Sequence, residues 1–237
     1  MDKSFDKDPI GHAIYDYSQG IAETDVIVRA DLCEDDVLPL DWLFRSFDEM
    51  PAREQKALNL CKGAILDVGS GAGCHSLYLT KKGENITSID TSYNCIQYQL
   101  NQGINAKNID FFELTDLKFD TLLFLMNGLG ICGTLERLPI LLKHAYSLLN
   151  DGGQVLCDST DISYLYQEED GSQWMDLNSD YFGNFKFQMQ YKETIGDWFD
   201  WLYVDAEKLT EVAEKVGFSV EIESGEEGQF FAKLVKE

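Results

Sequence analysis

From residue 64 onward the chain alternates short apolar runs with longer stretches in which apolar positions recur every three or four residues. The runs at Ala64–Val68, Ile86–Ile89, Thr121–Met126 and Gln154–Cys157 predict strands buried on both faces. Between them, Cys74–Lys82, Tyr93–Gln102 and Thr134–Leu149 have helical spacing. Buried strands alternating with helices predict an α/β fold, a doubly wound and mostly parallel sheet covered on both faces. A weaker run around Ala106 to Phe112, interrupted by Asn108 and Asp110, predicts a short edge strand.

After Asp158 the pattern changes. "EEDGSQWMDLNSDYFGN" is polar and reads as loop, and it precedes two alternating aromatic segments, "FKFQMQYKE" and "WFDWLYVD", which predict an antiparallel hairpin across "TIGD". "AEKLTEVAEKVGF" reads as an amphipathic helix closing at Gly217, and "SVEIES" and "QFFAKLVK" flank "GEEG" as a second hairpin. Upstream, "PAREQKALNLCKG" places Pro51 at a first helical turn and Gly63 at a helix end, and "LPLDWLFRSF" is a short aromatic helix candidate. Residues 1–38 show no period and admit either an ordered arm or a flexible one. The resulting division is an N-terminal helical segment or lid over 1–62 and one catalytic-type domain over 63–237, carrying an insertion at about 165–204.

Composition narrows the partners. Lys and Arg total 19 against 42 Asp and Glu, a formal net charge of −23, so nucleic acid and anionic membranes would meet a repulsive field. The six cysteines form no CxxC pair, the three histidines sit at 12, 75 and 144, and no metal-ligand spacing appears. "MDKSFDKDPIGHAIYDY" has no apolar signal core, and the longest apolar run, Leu122 to Met126, is too short to span a bilayer, so a cytoplasmic protein is expected.

The stretch richest in chemistry is "AILDVGSGAGCHSLYLTKKGENITSIDTS". Gly69, Gly71 and Gly73 follow Asp67 between a strand and a helix, where a bare backbone turns tightly and lets a ligand approach closely. The N–H groups opening the helix favour a carboxylate or phosphate. Asp90 ends the next strand, where a carboxylate can accept both hydroxyls of a ribose. Cys74 stands where a dinucleotide-binding GxGxxG pattern would carry its third glycine.

This GxGxG spacing in "ILDVGSGAG", with "SID" after the second strand, resembles the class I S-adenosylmethionine-dependent methyltransferases, from about Ala64 to Lys236. The resemblance implies a Rossmann-like, seven-stranded sheet ending in an antiparallel hairpin, with S-adenosylmethionine as cofactor. It implies that Gly69, Ser70, Gly71 and Gly73 floor the methionine part of the cofactor with Asp67 near its ammonium group, and that Asp90, followed by Thr91, binds the ribose. Asp110 in "NIDFF" would accept from the adenine amino group beside Phe111, with Glu113 and Asp116 close by. Asn127 and Gly128 in "FLMNGLGICG" would meet cofactor and substrate. No proline follows Asn127, unlike the NPPY signature of nucleic-acid amino-methylating enzymes, which points to a small-molecule or protein acceptor.

Methyl transfer is an in-line displacement that needs alignment more than a dedicated catalytic group. Where the acceptor must lose a proton, Asp158 and His12 are the candidate bases. Tyr191, Trp198, Trp201 and Tyr203 are offered by the aromatic insertion as pocket walls, or as simple cover for the sheet. Tyr15 and Tyr17 in "IYDYSQG" are candidates to close over the cofactor, or to dock on the sheet's flank. His75 is expected to be a neutral hydrogen-bonding residue, Cys74 a small packing residue, and His144 without a role. A nicotinamide-dependent oxidoreductase and a non-catalytic cofactor-binding module are the rival readings; the first lacks a third glycine and a Tyr-x-x-x-Lys pair.

Overall fold

The computed structural model describes residues 7–22, 24–166 and 181–237. Helix α1 (Pro9–Ser18) precedes two short strands, β1 (Val26–Ala30) and β2 (Asp36–Leu38), and helices α2 (Leu40–Phe44) and α3 (Ala52–Leu60). The alternating region then gives β3 (Ala64–Val68), α4 (Cys74–Lys81), β4 (Asn85–Asp90), α5 (Tyr93–Asn101), β5 (Ala106–Asn108), β6 (Phe119–Phe124), α6 (Leu138–Leu148) and β7 (Leu149–Thr160). Strands β8 (Asn184–Tyr191), β9 (Thr194–Ile195) and β10 (Phe199–Leu202) follow, then α7 (Ala206–Val216), β11 (Phe218–Ser224) and β12 (Gln229–Lys236).

Seven strands form the main sheet in the order β11-β12-β7-β6-β3-β4-β5, parallel except for β12, which runs antiparallel to both neighbours. The uninterrupted apolar runs are two-faced. Leu66, Val68, Leu122 and Phe124 pack with α6 and α7, while Ile65, Leu123, Leu156 and Phe231 pack with α3 and α4. The chain leaves β3 toward β4 and β5, then returns to place β6 on the opposite side of β3. Strand order therefore reverses between β3 and β6, which opens a crevice at their carboxyl ends.

The aromatic hairpin forms as expected, with Phe187 opposite Phe199 and Phe185 opposite Trp201. It is not, however, a free-standing insertion. Its β8 pairs with β1, which in turn pairs with β2, so a second sheet runs β10-β8-β1-β2. Residues 1–62 are accordingly not helical throughout: Val26–Ala30 and Asp36–Leu38 are strands. The sheet that holds them is completed from far away in sequence, Arg29 of β1 facing Gln188 of β8, so no local period announces it. The helix expected from Thr134 begins as a 3-10 turn at Leu135–Arg137 and becomes α-helical at Leu138. Most of the polar loop read from Glu168 lies outside the described residues.

Candidate active site

The crevice opens into a cavity of about 1100 Å³. Its floor is the turn from β3 to α4. Gly69 (φ 67°) and Gly71 (φ 55°) occupy the left-handed region, and a β-carbon on either would meet no protein atom within 4 Å. A side chain there would strain the backbone and project into the open space in front of the turn. The turn is pinned from below. Gly69 N–H and Ser70 N–H donate to the Ile89 carbonyl at 3.0 and 3.1 Å, and Gly71 N–H donates to Asp90 Oδ2 at 2.8 Å. Buried Gln99 donates to Ser70 Oγ at 2.7 Å and to the Gly71 carbonyl at 2.8 Å, and accepts from Ser88 Oγ. This clamp was not foreseen, because a glutamine among the polar positions of "YNCIQYQLNQ" has no distinguishing spacing.

Gly69, Ser70, Gly71, Asp67, Asp90, Thr91, Asn127 and Gly128 all line the cavity. Gly73 does not. It serves instead as the left-handed N-cap of α4 (φ 78°). Asp90 Oδ1 accepts from Ser92 N–H at 2.8 Å, so each carboxylate oxygen holds one backbone donor and keeps lone-pair capacity. Burial raises the Asp90 pKa above the usual carboxylate range against these two bonds, and Asp8 and Asp67 add to the rise. Asp67 accepts from Ser76 Oγ at 2.7 Å, and burial raises its pKa against His75 and Ser76. Three carboxyl groups gathered at one floor disfavour an anion and would be relieved by a cation.

The opposite lip is the turn after β6. Met126 (φ 59°) and Asn127 (φ 55°) are consecutive non-glycine residues in the left-handed region, a strain the surroundings must hold. Asp158 Oδ1 accepts from Asn127 N–H at 3.1 Å, and Thr160 Oγ1 donates to Asn127 Oδ1 at 3.2 Å. The other Asp158 oxygen accepts from Arg53 Nε at 3.0 Å. Burial raises the Asp158 pKa, with Arg53 opposing. Asp158 does not line the cavity, so its expected role as a base becomes that of a strut behind the Asn127 turn.

Other expectations are also redirected. His12 lies outside the lining, its Nδ1 2.9 Å from Thr194 Oγ1, because α1 turns that face toward β9. Phe111 is 3% exposed and meets Phe124 and His144 edge-on, within the core rather than on the cavity wall. Asp110 accepts from Phe112 N–H at 2.8 Å and opens a 3-10 turn outside the lining. His144, given no role, donates from Nε2 to the Phe111 carbonyl at 2.9 Å. Tyr17 stacks on Phe44 with centroids 3.8 Å apart and Tyr15 is exposed, so the pair flanks the fold instead of closing over the cavity. Of the four insertion aromatics, Trp201 and Tyr203 line the cavity, whereas Tyr191 is buried beside α1 and Trp198 is exposed.

His75 departs most from expectation. Its Nε2 is 2.7 Å from Glu54 Oε2, which also accepts from Arg45, and all three side chains are buried. Burial alone would lower the His75 pKa, but Cys74, Glu54 and Asp67 raise it well above the usual histidine value, which favours the charged ring. Glu54 and Arg45 come from α3 and the end of α2, segments whose sequence showed only generic helix signals.

Trp201 seats on Gly130 in the 3-10 turn Gly128–Cys132, where an added β-carbon would lie 2.2 Å from the indole. Gly130→Ala is therefore expected to displace Trp201 and destabilise the protein by about 1–3 kcal/mol. Urea unfolding followed by tryptophan fluorescence measures both effects; an unchanged midpoint and spectrum would contradict the packing.

A wound sheet with a bare glycine turn at its switch point and three carboxyl groups at the crevice floor defines a doubly wound α/β protein with a ligand crevice at the carboxyl ends of its strands. A family model for the methyltransferase domain matches residues 43–222. The chain is 38% identical to an S-adenosylmethionine-dependent methyltransferase from Bacteroides fragilis, solved with S-adenosylhomocysteine, with TM-score 0.91 over 98% of this chain and 97% of that one. It shares only the fold with a methyltransferase from Clostridium acetobutylicum (14% identity, TM-score 0.57, covering 80% and 93%) and with CcbJ from Streptomyces caelestis (12%, 0.61, 81% and 95%). No curated protein sequence matches significantly. The chain belongs to the S-adenosylmethionine-dependent methyltransferase family, and it is an enzyme of that family rather than a nicotinamide-dependent oxidoreductase.

Proposed function

We propose that this enzyme methylates a small molecule, with S-adenosylmethionine seated in the crevice between the Gly69–Ala72 turn, Asp90 and the Asn127 turn. The observation that carries this reading is the floor itself. Gly71 N–H and Asp90 share a bond at 2.8 Å with open space in front, and Asp8 and Asp67 add negative charge beside it. That floor suits a ligand with vicinal hydroxyls and a net positive amino-acid sulfonium, and it opposes the pyrophosphate of a dinucleotide. The B. fragilis relative's complex with S-adenosylhomocysteine supports the same cofactor here.

When bound, the cofactor supplies an electrophilic methyl group on sulfonium. The chain's part is to hold the acceptor in line with it and to exclude water. Asp67 and Asp90 would hold the ammonium and ribose, and Asn127, kept in its strained turn by Asp158 and Thr160, would border the reacting centre. Asp158 is engaged by Arg53, so alignment rather than proton abstraction by this residue carries the rate. A net charge of −23 supports a small-molecule acceptor over nucleic acid or an anionic membrane. Among the described residues no helix is long and apolar enough to cross a membrane and the six cysteines are unpaired, which supports a cytoplasmic setting.

Calorimetric titration is expected to show S-adenosylhomocysteine binding with NAD and NADP inert, and a methyl-transfer assay across a metabolite panel should show turnover. Binding of NAD in preference to S-adenosylhomocysteine would overturn the assignment.

A further inference from the structure

The second sheet turns a largely apolar and aromatic face to the cavity. Val28 stands opposite both Asp36 and Met189, Ala30 opposite Phe187, Phe187 opposite Phe199, and Phe185 opposite Trp201. Residues paired across strands share a face, so these side chains form one surface, and all of them line the cavity. Several of the intervening positions are polar and pair with one another: Arg29 donates to Gln188 at 3.1 Å and to Gln190, and Lys186 lies opposite Asp200. Aromatic rings crowd the inner face, with Phe199 and Trp201 centroids 6.1 Å apart and Phe187 and Tyr203 6.2 Å apart. A cavity of about 1100 Å³ exceeds the roughly 300–1,000 Å³ usual for a single ligand, which leaves this aromatic chamber for a second molecule beside the glycine turn.

The chamber's charge is one-sided. Among the described lining residues the basic groups are Lys7 and His75, and both are taken: Lys7 by Asp197 at 2.5 Å and His75 by Glu54 at 2.7 Å. Glu34, from the β1–β2 connection, and Asp36, which opens β2, stand at the aromatic wall, and the lysine among the described lining residues, Lys7, is already paired with Asp197. Burial, Cys33 and Asp36 push the Tyr203 hydroxyl up to about 12, so it stays neutral beside them. Ring faces attract cations, and a carboxylate ligand would add to the acidic groups already gathered at Asp8, Asp67 and Asp90.

Resting on the reading of the glycine-turn crevice as the cofactor's place, we infer that the aromatic chamber binds a flat apolar amine, its body against Phe187, Phe199 and Trp201 and its ammonium toward Glu34 and Asp36. The ammonium is the handle by which the molecule is held, independent of which of its atoms takes the methyl group.

Calorimetry on the whole protein saturated with S-adenosylhomocysteine tests this with three probes that share an indole body: tryptamine, indole-3-ethanol and indole-3-propionate. Tryptamine is expected to bind about tenfold more tightly than the alcohol, and the acid more weakly than either. The preference for the amine should shrink as salt rises and fall to near parity in a Glu34→Gln, Asp36→Asn double variant that still binds S-adenosylhomocysteine. Trp201→Ala should weaken all three probes alike, because it removes contact with the shared ring. Equal affinities, a preference for the acid, or no binding of any probe beside bound S-adenosylhomocysteine would overturn the inference alone. Failure of S-adenosylhomocysteine itself to bind would overturn the crevice reading, and this one with it.

Discussion

Replacing Asp90 by alanine is expected to weaken S-adenosylhomocysteine binding about 10²- to 10⁴-fold while leaving the unfolding midpoint nearly unchanged. The two effects separate because Asp90 does two things. It accepts from Gly71 N–H and Ser92 N–H, each at 2.8 Å, and its remaining lone pairs face the cavity where two sugar hydroxyls would donate. A hydrogen bond to a charged group contributes about 1.5–3 kcal/mol, so losing two removes several kcal/mol of binding energy. In the free protein the same carboxylate is unfavourable: burial, Asp8 and Asp67 raise its pKa, and deleting the charge relieves that repulsion against the loss of two backbone bonds. Calorimetry and thermal unfolding on one preparation read both quantities. An unchanged Kd would remove Asp90 from the cofactor site, whereas equal losses of binding and stability would reduce it to a brace for the turn.

Glu54→Gln is expected to destabilise the protein by about 3–5 kcal/mol, because it leaves Arg45 and His75 buried without their common counter-charge. Burial opposes the Glu54 carboxylate, but His75 and Arg45 hold its pKa below the ordinary glutamate value. Its contribution to stability is therefore present above that ordinary value and is lost as pH falls through the lower folded value. His75 runs the other way. Burial again opposes its charge, yet Cys74, Glu54 and Asp67 raise its pKa, so its contribution is present below the ordinary histidine range and is lost as pH rises through the folded value. Urea unfolding across pH should show both flanks in the parent protein and neither in the variant. A variant with the parent's pH profile would show that the cluster is not a charged unit. His75 borders the cavity, so cofactor affinity is expected to fall in this variant as well.

The main sheet and its glycine turn were legible because their signals are local. The mostly apolar run "AILDV" before "GSGAG" reads as a buried strand entering a tight turn, and Asp90 ends the next such run, so the two were expected to meet wherever β3 and β4 pair. Phe111 misled for a related reason. An aromatic residue after an acidic one fits a ring-stacking role, but the edge-on contacts with Phe124 and His144 show that this ring completes the core. Asp158 is picked out by chemical type and its place at a strand end, His12 by chemical type and its place in the N-terminal segment, and neither signal includes the partners, Arg53 and Thr194, that these side chains meet.

What the sequence determined by itself was the periodic part: a wound parallel sheet, the backbone bend at its rim, the carboxylate one strand along, and a surface charge that repels polyanions. Periodicity and turn chemistry act between near neighbours, so they can be read without knowing the fold. The tertiary structure alone decided which segments wall the chamber. Strands β1 and β8 meet across more than half the chain, and the Arg45, Glu54 and His75 side chains share one buried charge cluster. Those pairings are selected by burial and by charge compensation, forces that depend on distance in space and carry no trace in residue spacing.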